Sequence, residues 1–391
     1  MAGYDIAVVG AGIMGAAAAC EAARRGARVA LIDESMPNPR ASSIDHSKVF
    51  RFSYPDPLYA RMAADALPLW HALAEESCER LLTQTGILLL GESRELYETK
   101  TFETLRALSL PVEMLDSREA ASRFPQFNAE RFPYAVYDPS GAILHAERAV
   151  RVMISLARSL GVQMIEGERV VEIKSEIFSI KRGEGARAPA VVMESGSEIA
   201  CEQVLIASGA WTRSLVPFLE KILTPTRQEL IYFEAPRASQ SGVVLPPHAN
   251  FYDEKFPIFT ALETGFYGFP VHHAGAMKIA NHNKGEPVDP QSYDESVTEE
   301  SIAACRDFFS EFIPALKSAP VRETRVCLYN NTPDDDFIID RHPEFENVVI
   351  ATGFSGHGFK FGPLIGRIAA ELMLSGRTSY DIDRFSLARF G

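Results

Sequence analysis

Asp5-Ile-Ala-Val-Val-Gly10-Ala-Gly12-Ile-Met-Gly15 is an apolar run of branched residues that breaks into three glycines at G-x-G-x-x-G spacing. Such a run reads as a buried parallel strand. The small residues from Ala16 to Arg25 read as a helix, with Gly26 as its C-cap and Arg24 and Arg25 complementing the C-terminal dipole. Arg28-Val-Ala-Leu-Ile-Asp33 then reads as a second strand ending in a carboxylate, which completes a βαβ unit. Each glycine has a physical task. Gly10 permits the tight turn, Gly12 lets backbone approach a pyrophosphate, and Gly15 lets helix and strand pack closely. The helix N-terminus offers amides and a positive dipole end, and Asp33 is placed to accept hydrogen bonds from a ribose. A structural turn with chance glycines is the bland alternative. It leaves the succession of strand, motif, helix, strand and acid unexplained.

Outward from this unit, two further strand-to-glycine turns occur at Ala207-Ser-Gly-Ala-Trp211 and Ala351-Thr-Gly-Phe354. A dinucleotide lying across a sheet needs several such backbone approaches, which favours FAD. Helical periodicity marks 57–82, 102–109, 117–124, 146–160, 299–312 and 363–374, and short strands mark 86–91, 161–165, 169–173, 190–193, 203–209 and 347–353. Between Leu215 and Val321 strands alternate with loops rich in Pro, Gly, His and Tyr, the texture of a mainly antiparallel unit. The expected fold is therefore α/β plus α+β. A Rossmann-like FAD-binding domain (1–84, 142–214 and 322–391) is interleaved with a substrate domain (85–141 and 215–321).

Composition narrows the function. The 391 residues carry a net charge of −13, so a polyanion would be repelled and nucleic-acid binding is not expected. Five scattered cysteines, with no CxxC and no zinc-type spacing, argue against a disulfide framework or structural metal and fit a reducing compartment. His272-His273 lacks a third ligand at sensible spacing, and Asp334-Asp335-Asp336 reads as a solvated turn, so no metal is expected. No apolar run approaches a membrane span, and the chain starts at once with a strand, so cytoplasmic residence and no membrane partner are expected.

Two C-terminal stretches are narrower than the glycine motif. Val326-Cys-Leu-Tyr-Asn-Asn-Thr-Pro-Asp-Asp-Asp-Phe-Ile-Ile-Asp340 and Gly353-Phe-Ser-Gly-His-Gly-Phe-Lys-Phe361, with Ile206 to Trp211, Arg227-Gln228 and Tyr267-Gly-Phe-Pro270, resemble the monomeric sarcosine oxidase family within the D-amino-acid oxidase superfamily. That family includes N-methyltryptophan, pipecolate and fructosyl amino acid oxidases.

The resemblance implies an FAD-dependent oxidase of secondary-amine amino acids that acts as a monomer on a small substrate and O2. It implies FAD attached through Cys327, whose bland alternative is a small apolar core residue. It further implies Lys278 as the cation assisting oxygen reduction, Arg51 and Lys360 as the carboxylate clamp, and Tyr267, His282 and Tyr329 as pocket walls. The bland alternatives are solvated charges for the first three, aromatic packing for the tyrosines and a satisfied histidine for His282. Cofactor contacts are implied at Gly10, Gly12, Gly15, Asp33, Ser43, Lys48, Val170, Gly209, Trp211, Gly353, Gly356, Gly358 and Lys360.

Two departures conflict. Ser43, Ile44 and Lys48 replace a histidine pair and an arginine, which is similar to the fructosyl and saccharopine oxidase branch. His282 stands where the fructosyl-acting enzymes place a glutamate, as in sarcosine and pipecolate oxidases. An amine dehydrogenase with another electron acceptor, and a non-catalytic flavin-binding protein, share the same fold.

Overall fold

The computed structural model describes residues 3–92, 97–174, 190–236, 250–252 and 255–391. Its first sheet is built on the opening strand. Gln163–Glu166, Val29–Asp33, Tyr4–Val9, Glu198–Ile206 and Val348–Thr352 pair in that order, all parallel. Ile338–Arg341 adds antiparallel at one edge. Ala190–Met193 and Val170–Lys174 add antiparallel beyond the N-terminal half of Glu198–Ile206. Ile6 to Val9 are buried because both faces are covered, which is why the strand reads as an unbroken apolar run. On one face lie the helices Ile13–Arg24, Ala146–Ser159 and Gly362–Ser375. On the other lie Val216, Leu219 and Leu223. The alanine-rich helix lets its neighbour come unusually close: a Cβ on Gly366 would stand 2.5 Å from Ala17 Cβ.

The second sheet runs Val321–Asn331, Thr224–Glu234, Ala276–Asn281, Phe266–Gly268, Ile258–Ala261, Ile87–Gly91, Tyr134–Asp138, Glu113–Asp116. All its pairings are antiparallel except Ile258–Ala261 on Ile87–Gly91. Helix Glu299–Phe312 turns Cys305, Phe308, Phe309 and Phe312 onto its back. A small sheet of Lys48–Phe50, Ala142–Leu144 and Leu82–Gln84 stands between the two.

Four local readings change. The helix expected over 57–82 stops at Ser77, where Cys78 takes a left-handed conformation at φ 53, and a strand follows. The helix expected from 102 starts at Tyr97. Tyr134–Asp138 was not legible as a strand, since all five residues are buried and the segment shows no alternation. Asp336, expected in a solvated turn, is buried and accepts from Tyr59 OH at 2.8 Å and from Arg384 Nε at 2.7 Å. Asp334 and Asp335 pair with Arg389 and Lys284, so the acidic triplet is an ion-pair node whose charges are already met.

Candidate active site

A cavity of about 470 Å³ is lined by the glycine turns of the first sheet and by strands of the second. Helix Ile13–Arg24 begins at its edge with no side-chain cap from Gly12. Two nearby amides are taken: Ala11 N–H donates to Asp33 Oδ2 at 2.7 Å and Ile13 N–H to Ser43 Oγ at 3.2 Å. Gly15 packs as its spacing predicts, because a Cβ there would lie 1.9 Å from Gly10 O. Gly12 differs: a Cβ there would meet Ser43 Oγ alone, at 3.3 Å, and otherwise project into open space. Asp33, Ser43, Val170, Gly209, Trp211, Gly353, Gly356 and Gly358 extend the same wall. Asn330 lines it too, and its buried Oδ1 has no partner. A glycine cradle that a Cβ would fill, helix amides, an acid at the strand end and an orphaned acceptor suit a dinucleotide.

The other end of the cavity carries cations. Arg51 lies with its guanidinium 4.1 Å from the Tyr54 ring centroid and donates to Tyr97 OH at 2.9 Å. Lys360 comes from a chain segment over three hundred residues away, yet its Nζ donates to Tyr54 OH at 2.8 Å and to His357 O at 2.6 Å. Tyr54 thus holds the two cations side by side. Neither has a carboxylate partner among the described residues, although Lys360 is only 4% exposed. Burial, then Arg51, holds the Lys360 ammonium well below the usual lysine range. Beside them His282 Nδ1 meets Tyr329 OH at 3.2 Å, and Tyr267 stands edge-on at 6.2 Å. Burial, with Arg51 and Lys360 adding, pushes His282 down to about 4, so its imidazole is neutral.

Lys278 and Lys48 form the remaining wall. Lys278 donates to Asp45 Oδ2 at 2.5 Å and to Ser47 O at 3.0 Å. Every expected site residue lines the cavity except Gly15, which packs behind the turn, and Cys327. Cys327 packs with Leu230, Tyr232, Ala276, Ala280 and Tyr329. Burial raises its thiol, while Lys48 and Lys278 draw it down and Asp45 opposes them.

Tyr54, Tyr97 and Asp45 are site residues that sequence reasoning did not select. Tyr54 and Asp45 stand three and six residues from Arg51, and that proximity was the only signal available. His273 also acquires neighbours: His46 stacks on it with centroids 3.4 Å apart, and Glu323 lies 3.1 Å from His46 Nε2. Two imidazoles sharing a tetrahedral ion, with bonds of about 2 Å, hold their centroids about 5 Å apart. Glu323 is also engaged by Arg325. The trio is a hydrogen-bonded stack.

The family described as FAD dependent oxidoreductase matches residues 5–372. The chain is 31% identical over 395 residues to monomeric sarcosine oxidase from Bacillus sp. (strain B-0618), covering 99% of this chain and 96% of the relative. It is 32% identical over 398 residues to peroxisomal sarcosine oxidase from Homo sapiens, with coverage of 99% and 96%. In fold it is similar to the crystal structure of L-proline dehydrogenase from P. horikoshii, with a TM-score of 0.82 at 23% identity over 99% and 97% of the two chains.

Proposed function

The chain belongs to the family of FAD dependent oxidoreductases, and on that premise we propose that it oxidises a secondary-amine α-amino acid, with O2 as the final electron acceptor and hydrogen peroxide as the by-product. When bound, FAD supplies the acceptor for the hydride equivalent and the route to oxygen. The observation that carries the substrate class is the pair of cations, Arg51 and Lys360, set side by side with no carboxylate partner among the described residues. Arg51 offers a planar fork and Lys360 a point charge, together suited to one carboxylate. An arriving anion supplies the counter-charge that burial denies Lys360, and it fixes the amino acid's orientation. Neutral His282 and Tyr329 wall the amine side and can accept or donate a hydrogen bond without adding charge. Lys278 presents an ammonium where negative charge develops as oxygen is reduced.

Cys327 is the residue proposed to hold FAD through a thioether. Its support is the matching motif and its place beside Lys48 and Lys278, whose charges partly oppose the upward push that burial gives the thiol. The proposed division of labour keeps 1–84, 142–214 and 322–391 for the cofactor and 85–141 with 215–321 for the substrate. Five free cysteines support a cytoplasmic setting, and the printed name of the Bacillus relative supports a monomer.

The test is anaerobic bleaching of the flavin across sarcosine, larger N-methyl amino acids, pipecolate, proline, saccharopine-like N-alkyl amino acids and fructosyl amines. Bleaching by at least one of these is expected. Failure of all of them would sink the proposal. Oxygen uptake measured against dye reduction separates the oxidase from a dehydrogenase, and uptake is expected to dominate.

A further inference from the structure

One buried carboxylate at the site has no task in the reading above. Asp45 is 0% exposed. Its Oδ1 accepts from Tyr232 OH at 2.6 Å and from the His46 amide at 2.8 Å. Its Oδ2 accepts from Lys278 at 2.5 Å, and Lys48 Nζ stands 3.4 Å from that same oxygen. Lys48 comes from the small connecting sheet and Lys278 from the second sheet, so one carboxylate gathers two ammonium groups from separate elements.

Charge and direction both follow from this geometry. A lone carboxylate at full burial would take up a proton. Here burial pushes it that way, but Lys278, Lys48 and Tyr232 outweigh the effect and hold Asp45 ionised. Burial likewise draws Lys278 below the usual lysine range; Asp45 opposes this and Lys48 adds to it. The other titratable and charged groups facing this cluster are Cys327, Arg325 and Glu323 on the strand Val321–Asn331 and His46 against the Tyr232 ring, with Tyr267, Tyr329 and His272 farther out. Asp45 is the carboxylate that the two lysines meet directly. An ammonium has three hydrogens. Asp45 and Ser47 O take two of Lys278's, which leaves one, and Lys278 lines the cavity.

We infer that Asp45 is a positioning residue for the oxidative half of the reaction: it holds Lys278 as an oriented cation at the cavity wall. The inference rests on the proposed function. Asp45 sits in the loop where this chain departs from the sarcosine oxidase pattern.

The experiment compares the flavin-loaded parent with Asp45→Asn, Lys278→Met and the double variant. Anaerobic flavin reduction and reoxidation by O2 are measured separately by rapid mixing, and thermal unfolding is followed in parallel. For Asp45→Asn, reduction is expected to change less than about threefold, and reoxidation to fall about tenfold or more. The alkaline limb of the reoxidation profile should move down by about one pH unit, because the anion that keeps Lys278 charged is gone. Adding Asp45→Asn to Lys278→Met should cost no further reoxidation rate. The double variant should also melt higher than Asp45→Asn alone, since it leaves no unpaired ammonium on Lys278.

An unmoved alkaline limb, or losses that multiply in the double variant, overturns the inference. If Asp45→Asn fails to accumulate but the double variant does, the pairing is supported. If neither accumulates, Asp45 serves Tyr232 and the loop backbone instead, and the inference is wrong. Failure of the functional reading has a different signature: the parent flavin is bleached by no amine, while the melting comparison still reports on the pair.

Discussion

Lys360→Met keeps the length of the side chain and removes its charge, so it isolates what the cation contributes. A charge-assisted hydrogen bond to a substrate carboxylate contributes about 1.5–3 kcal/mol. The expected outcome is a KM for the amino acid raised about 10–100-fold with kcat changed far less, read from steady-state kinetics at saturating oxygen. An equal fall in kcat with KM unchanged would place Lys360 outside ground-state binding. Cys327→Ser addresses a different bond. Acid precipitation of the parent should leave flavin in the pellet, and of the variant release it to the supernatant; release from both disproves the thioether. At this scale the sequence carried residue type but not proximity. Arg51 and Lys360 were legible by resemblance, whereas Tyr54, the ring that brings them together, had no signature. Asp45 carries no weight in the sequence beyond its place in the Ser43–Arg51 stretch, and only packing shows that it is buried.

The βαβ unit makes a sharper prediction, because two of its glycines do different work. Gly15→Ala drives a methyl group into Gly10 O, which is backbone and cannot step aside. Overpacking of this kind costs about 1–3 kcal/mol, so the variant should melt lower even before cofactor binding is measured. Gly12→Val instead fills the cradle, where the near contact is a movable Ser43 hydroxyl. Its expected outcome is a folded protein, normal by far-ultraviolet circular dichroism, that takes up little or no FAD. Equal FAD uptake by parent and Gly12→Val would show that the phosphates lie elsewhere. Elements with strong periodicity were legible: helix Ala146–Ser159 is amphipathic and falls where expected. The strand Tyr134–Asp138 was not, because full burial on both faces erases the period of two.

For the whole molecule, the buried histidines set an acid limit. His272 and His282 are pushed down to about 4, in each case first by burial. In the unfolded chain they titrate near 6.5. Between about pH 6.5 and 4 the unfolded state therefore binds more protons than the folded one, and stability falls as pH is lowered. Above that window these two histidines contribute no slope. Melting temperature is expected to drop as pH falls below about 6.5, with His282→Gln showing a shallower drop in scans at matched ionic strength. An unchanged slope in that variant means that His282 is already solvated.

By itself the sequence determined the βαβ opening and the cofactor class, because strand burial, glycine conformation and helix ends are local consequences of residue type, while the cationic candidates came only with the family resemblance. The tertiary structure alone decided which of those candidates meet. Arg51 and Lys360 share one tyrosine across 309 positions of chain, and Asp45 pairs with Lys278 across 233. Such meetings depend on two sheets closing over a common cavity, a long-range packing event that leaves no period or spacing in the chain to read.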